Sequence, residues 1–323
     1  MKKTLFIGSL LLFSAGLGLK PIVSQTVAKQ VVNLTQSPAA RVSQPKVELL
    51  NAGAQPQQVL RFKPVVNTTE TSTISLNIAV KSSSPGMAGT PRSIKLPSTK
   101  MTMETIVTKI DPNGDIHYKF RYTDADVTGD ASIPAAVLKA ARTEVKKMVG
   151  VSGLFVMDDR GTTKSTSLSI PKEVDATTRQ MLEQSFRSLD QLSAPLPEAA
   201  VGIGAKWRTL MPVKLYGINL NQTGTYELVS LKDGVATLKV GVEQQAQGQK
   251  IAMTGIPKGV DVTLKSLNTT GQGQMTVRLD RLLPSIATLS LTSAAQIQSA
   301  MPGMSKAITV GTETQMNMVL QSK

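Results

Sequence analysis

Residues 101–124 read MTMETIVTKI-DPNGD-IHYKFRYTD, and this stretch decides the fold. In its second half Ile116, Tyr118, Phe120 and Tyr122 fall on one face of an extended chain, and His117, Lys119 and Arg121 on the other. That period of two belongs to a strand with one buried face. Asn113-Gly114 stands between two such runs, and this dipeptide tolerates the positive φ that a tight turn demands. The stretch is therefore an antiparallel hairpin.

Working outward, the same pattern recurs. Ile74, Leu76 and Ile78 share a face within the Thr-rich run 68–80, and residues 223–242 fold back on Asp233-Gly234 as a second hairpin. Residues 272–282, 285–293 and 307–320 are further strands, as are 47–50 and 59–66 on either side of an AGAQPQ turn. Residues 151–170 are strand-like, and 81–98, rich in Ser, Pro and Gly, form a loop. Two segments follow a helical period instead. Residues 133–149 start with Pro134 in the first turn, stop at Gly150, and carry a stripe that includes Val137, Leu138, Ala141, Val145 and Met148. Residues 176–192, capped by Asp175 and stopped by Pro195, carry a stripe that includes Met181, Leu182, Phe186 and Leu189. The fold class expected is α+β: a long, curved, half-barrel-like antiparallel sheet carrying two amphipathic helices. The patterns of 46–198 and 199–323 echo each other, so an internal duplication into two pseudo-halves is expected.

The amino terminus differs from the rest. Lys2 and Lys3 precede an apolar run, Leu5–Leu19, too short to span a bilayer, and Thr26-Val27-Ala28 offers a cleavage site. Residues 1–28 are expected to be a signal peptide, 29–45 a disordered leader, and 46–323 the folded domain of an exported, periplasmic or extracellular protein with no transmembrane span in its mature form. The net charge of +14 becomes +11 (14 − 3) when Lys2, Lys3 and Lys20 leave with the signal. Spread positive charge of this kind aids solubility, and an anionic envelope surface is the partner it would otherwise be drawn to. Aromatic residues make up only 3% of the chain and no basic cluster stands out, so nucleic acid is not expected as a partner.

Composition excludes much chemistry. There is no cysteine and one histidine, which removes disulfides, thiolate metal sites and multi-histidine zinc sites. No nucleophile elbow, phosphate loop or dinucleotide fingerprint is present, so no catalytic residue is assigned and no cofactor is expected. Asp124, Asp126 and Asp130 resemble the start of a calcium loop, but Ala135 stands where a bidentate Glu belongs, and no metal is expected there. The pairs Met101/Met103 and Met316/Met318 read as core filler rather than copper ligands. His117 is read as a surface residue without a carboxylate partner in the local sequence. Asp158 and Asp159, adjacent on a strand, point to opposite faces and form no acid–base pair. The glycines of Val201–Ala205 mark a place where backbone approaches closely, with Trp207 packed beside it.

Four segments, VELLNAGAQPQQVLRFKP (47–64), IDPNGDIHYKFRYTD (110–124), LFVMDDRGTTKS (154–165) and PLPEAAVGIGAKW (195–207), resemble an uncharacterised family of exported bacterial proteins frequent in cyanobacteria. The resemblance implies no activity and no catalytic residues. The order of strands and helices is also similar to that of half-barrel periplasmic lipoprotein and lipid carriers, which implies an apolar ligand inside a curved sheet. The function expected is non-catalytic binding of a lipid-like ligand between sheet and helices, lined by Val137, Leu138, Ala141, Val145, Met148, Met181, Leu182, Phe186 and Leu189. The alternative is a structural or partner-binding envelope protein with a filled core, and a carboxylate-dependent hydrolase comes last.

Overall fold

The computed structural model describes residues 45–323 apart from 84–91, 173, 176–177, 180–181, 184–194, 216–217, 252–259 and 301–306. The expected signal and leader, residues 1–44 of the chain, lie outside the described residues. The elements are β1 (Lys46–Asn51), β2 (Thr69–Ser83), β3 (Arg92–Lys95), β4 (Ser98–Ile110), β5 (Ile116–Thr128), α1 (Ala135–Lys146), β6 (Ser152–Met157), β7 (Thr163–Ser169), β8 (Lys206–Leu215), β9 (Ile218–Lys232), β10 (Val235–Ala246), β11 (Gln249–Lys250), β12 (Asp261–Arg278), β13 (Ile286–Ala300) and β14 (Ile308–Ser322).

The protein is therefore a β protein, and the α+β expectation is corrected. The strands form one 14-stranded antiparallel sheet in the order β1-β8-β9-β10-β12-β13-β14-β2-β4-β5-β6-β7, with β3 and β11 paired at its side. Both hairpins read from the sequence are present. Gly114 at the β4–β5 turn has φ +86°, and at the β9–β10 turn Asp233 and Gly234 have φ +51° and +73°, the positive pair a two-residue turn requires. Two meanders, β2 to β7 and β8 to β14, meet where β14 pairs with β2, from Gly311 opposite Ser83 to Ser322 opposite Ser72.

The expected loop 81–98 contains the end of β2, all of β3 and the start of β4. Conversely, residues 59–66 are not a strand. Gln58 bridges Val201, Phe62 N–H donates to the Asp159 carbonyl, and Lys63 N–H to the Leu279 carbonyl. This segment crosses the end of the sheet, and its backbone groups are satisfied by turns rather than by a neighbouring strand.

These contacts fix the curvature. Twelve strands laid flat span roughly 50 Å at ordinary strand spacing. Here Val201, which leads into β8 near one edge, and Asp159, in the β6–β7 turn near the other, are gripped by Gln58 and Phe62. Four residues of chain reach at most about 14 Å. The sheet must curl until its two edges nearly meet, although among the described residues β1 and β7 do not pair.

Alternation then sorts the side chains. Ile74, Leu76, Ile78, Leu238, Val240, Leu289, Leu291, Met316 and Met318 are buried on the inner face. Lys100, Lys119, Arg121, Arg208, Lys239, Thr292 and Asn317 point outward and are exposed. A lipid-facing barrel needs an apolar outer band; this sheet has its apolar face inside. None of the described helices is long and apolar enough to cross a membrane.

Helix α1 is the single complete helix among the described residues, and it is shorter than the expected 133–149. None of its side chains is fully buried. It lies along the edge of β5 beyond Arg121, where the short β6 does not reach. Arg142 bonds Asp126 at 2.6 Å and the Val127 carbonyl, and Lys146 bonds Asp124 at 2.7 Å, so its basic side is tied to β5 rather than left in solvent. The second expected helix falls largely outside the described residues. Thr178, Arg179, Leu182 and Glu183 are helical, and Leu182 is buried.

Candidate ligand-binding interior

The β1–β2 connection, the segment 195–205 and the turns β4–β5, β6–β7, β9–β10 and β12–β13 all gather at one end of the curled sheet. They plug it. Leu60, Phe62, Leu196 and Val201 are buried there, in the same core as Val107, Ile116 and Met157. Leu196 N–H donates to the Arg160 carbonyl, and the Arg61 guanidinium bonds the Pro197 and Glu198 carbonyls. Gly202 is needed at this junction because a Cβ there would sit 1.7 Å from the Ala54 carbonyl oxygen. The close approach expected of these glycines is present, and Trp207 packs in the core beside them. Glu70, 2% exposed, accepts the Leu282 and Leu283 backbone N–H groups at 2.8 and 3.1 Å and fastens the β12–β13 turn to β2.

Above the plug the register stacks the inner side chains in rows. The first row above the plug is Trp207, Tyr226, Val240, Gly273, Leu289, Met318 and Leu76. Trp207 stacks on Tyr226 at 5.6 Å, and burial pushes the Tyr226 phenol well up, opposed by a hydrogen bond with Thr209. The next row is Thr209, Gly224, Val242, Gly271, Leu291, Met316 and Ile78. Both rows are filled: a Cβ on Gly271 would meet Leu291 Cδ2 at 1.9 Å, and one on Gly273 would meet the Thr288 carbonyl oxygen at 2.1 Å. Opposite them Tyr118 stacks on Phe155 at 5.4 Å and Phe120 meets Tyr122 edge-on. Burial pushes the Tyr122 phenol well above its ordinary range.

The third row is different: Met211, Gln222, Gln244, Thr269, Ser293, Thr314 and Val80. Five consecutive strands turn a polar, uncharged side chain inward at one level. Gln244 Nε2 donates to Gln222 Oε1 at 2.7 Å, and the Thr269 and Ser293 hydroxyls bond at 2.9 Å. At and beyond this row burial weakens on three strands. Val80 in the row itself, and beyond it Ala295 and Ile297 on β13 and Thr312, Val310 and Ile308 on β14, are only half-buried, while Leu220, Leu264 and Leu267 across the sheet remain buried. The result is a half-buried strip on the inner face, apolar but for Thr312, whose Val80, Ala295 and Ile297 pack against the core.

The residues expected to line a groove are partly assembled. Val145 and Met148 pack against the core, Leu138 and Ala141 are half-buried, and Val137 is 47% exposed. Leu182 is in the core, whereas Met181, Phe186 and Leu189 lie outside the described residues. The aspartates of the apparent calcium loop are separated by their partners. Asp124 and Asp126 face Lys146 and Arg142, and Asp130 bonds Lys95 and Ser132. Lys95 is the chief reason the Asp130 carboxyl falls to about 2. Among the described residues no cluster of three or more His, Cys, Asp or Glu could hold a metal ion. Met101, Met103, Met316 and Met318 are core residues.

Two local expectations are corrected. His117 does have a carboxylate partner: Asp111, six residues back across the hairpin turn, lies 2.5 Å from its Nε2. Lys109 and then His117 hold the Asp111 carboxyl below its ordinary range. Asp158 and Asp159 are in a turn, where Asp158 Oδ1 accepts the Arg160 and Thr162 N–H groups and Asp159 faces Arg61 at 3.6 Å. The polar row was missed in the sequence because each member looks like an isolated polar slot. Its signal is a Gln, Thr or Ser on the apolar phase of a strand.

Among solved structures the chain is similar to Salmonella typhi OmpF in complex with daunomycin, at 6% identity over 78% of this chain and 98% of that one, TM-score 0.23. A Rhodopseudomonas blastica porin triple mutant matches at 8% identity over 77% and 100%, TM-score 0.19. The attachment invasion locus protein Ail of Yersinia pestis matches at 8% over 80% and 100%, TM-score 0.14. At these scores the likeness carries no argument. No curated protein matches the chain. Residues 160–282, from the β6–β7 turn to the β12–β13 turn, match DUF6263, a family of unknown function.

Proposed function

We propose that the protein works outside the cytoplasm as a non-catalytic carrier that holds an apolar, lipid-like ligand against the inner face of its curled sheet. One observation carries this reading. Half-buried apolar residues line the inner face at and beyond the polar row, and three of them, Val80, Ala295 and Ile297, pack against the core of a sheet whose outer face is polar. Apolar surface left reachable inside a concave scaffold, with a few polar groups beside it, is the usual make-up of a small-molecule site. The signal-like residues 1–28 support export, and the strip replaces the sheet–helix groove as the lining, with Val145 and Met148 of the α1 region beside the same core.

The test is binding of the fluorescent probe N-phenyl-1-naphthylamine by the folded protein. Saturable enhancement is expected, and Ile297→Lys or Val310→Lys should abolish it, because an unpaired ammonium on the inner face repels an apolar guest. Thr292→Lys on the outer face should leave it unchanged. Absence of saturable binding, or equal loss in all three variants, would overturn the proposal.

A further inference from the structure

The polar row identifies the chemistry of the guest. Resting on the carrier reading above, we infer that the ligand is a neutral amphiphile whose ester, amide or hydroxyl group docks at the level of Gln222, Gln244, Thr269 and Ser293, with its hydrocarbon along the apolar strip. Three observations converge. First, the row is a single level: Gln222 pairs with Gln244, Gln244 with Thr269, Thr269 with Ser293 and Ser293 with Thr314 in the strand register. It lies between apolar neighbours, Val242, Leu291 and Met316 below and Leu220, Leu267 and Ala295 above. Second, these side chains are buried or half-buried where apolar residues would pack as well. Gln244 and Thr269 are each 2% exposed. Burying such groups is unfavourable unless they are hydrogen-bonded, and the row meets this by pairing across strands, Gln244 with Gln222 and Thr269 with Ser293. Third, the inward phase of the strands is uncharged here. The inner-face charge among the described strand residues is Glu70, which the Leu282 and Leu283 N–H groups already satisfy at the plugged end.

The consequence is selective. A carboxylate or phosphate drawn to this depth would lose its hydration and meet no cation, a penalty of several kcal/mol. A neutral ester carbonyl loses little and gains a side-chain donor, because an amide nitrogen has two N–H groups and the 2.7 Å bond from Gln244 to Gln222 uses one. A plain hydrocarbon fits the strip and leaves the row as it stands.

Competition against N-phenyl-1-naphthylamine distinguishes these guests. Methyl hexadecanoate, hexadecanoate at pH 8 and hexadecane, each delivered from methyl-β-cyclodextrin, would be compared on the wild-type protein. The ester should displace the probe at a concentration about five- to tenfold below that of hexadecane, the worth of one net hydrogen bond. Hexadecanoate should be the weakest. In the double variant Gln222→Leu with Gln244→Leu, which removes both partners and leaves neither unpaired, the ester's advantage should shrink to within about twofold while hexadecane is unaffected. Thr269→Val with Ser293→Ala should act in the same direction and covers the case in which the first variant does not fold. Hexadecanoate competing as well as the ester, or an ester advantage unchanged in both variants, would overturn the inference and leave the carrier reading standing. Failure of the probe and all three guests to bind would overturn both.

Discussion

At the plugged end of the sheet Leu60, Phe62, Leu196 and Trp207 are each no more than 2% exposed, whereas at the other end Val80, Ala295, Ile297 and Val310 stay half-buried on the same inner face. The two ends are built from the same strands with the same alternation. They differ in what meets the strands. At the plugged end, cross-chain backbone bonds such as Phe62 N–H to the Asp159 carbonyl and Lys63 N–H to the Leu279 carbonyl bring apolar side chains over the barrel-like opening. At the other end the described attachments include polar pairs on the outside, Lys146–Asp124, Arg142–Asp126 and Lys95–Asp130, beside the buried Ile133, Val174 and Leu182. Exposed pairs of this kind contribute little stability.

The largest effect should come from emptying the plug. Phe62→Ala should cost about 3–5 kcal/mol in urea unfolding, since a buried aromatic leaves a cavity that backbone-bonded neighbours cannot fill. Ile297→Ala, already half-solvated, should cost less than about 1.5 kcal/mol, short of the range for a fully buried residue. Equal costs would erase the distinction between the ends. Next, Gly202→Ala should cost about 1–3 kcal/mol, because its Cβ would press on the Ala54 carbonyl. Glu70→Gln should cost about 1.5–3 kcal/mol, the range for hydrogen bonds to a charged group, with the loss showing as faster amide exchange at Leu282 and Leu283.

The smallest effect separates the ends by pH. The Asp124, Asp126 and Asp130 carboxyls are held below their ordinary range, chiefly by Lys146, Arg142 and Lys95 respectively, and Asp130 at about 2. A carboxyl depressed in the folded state stabilises above its unfolded value near 4 and loses that contribution as pH falls toward the folded value. Between pH 4 and pH 2, therefore, α1 amides should exchange faster before those of the β9–β10 core do. Uniform acceleration across both regions would contradict the assignment of these pairs to the loose end.

How much of this could be read from residues follows from the range of the interactions. The β4–β5 and β9–β10 hairpins were legible because a period of two and an Asn-Gly or Asp-Gly turn are local signals. The boundaries of α1 at Pro134 and near Gly150 were local too. The continuity of the sheet was not, because it depends on β14 pairing with β2 and β1 with β8, strands from opposite parts of the chain. That continuity turns the expected half-barrel into one curled sheet, while the second expected helix falls largely outside the described residues. Residues 59–66 look like a strand because Val59, Leu60, Val65 and Val66 are β-formers, yet Val59 and Val65 are exposed and the segment bonds to turns. Asp111 is not legible as the partner of His117 from the strand neighbours alone, because only the tight turn brings residues six apart together. The site was half legible. Val145 and Met148 touch the core as expected, but the strip and the polar row exist only once the register is known.

The most direct test of the central claim is native mass spectrometry, followed by organic extraction, on protein purified from the envelope of its own host. The account predicts one neutral amphiphile bound in stoichiometric amount and released by extraction. An apo mass with no extractable lipid would contradict it, and the half-buried inner strip would then have to be explained by a protein partner.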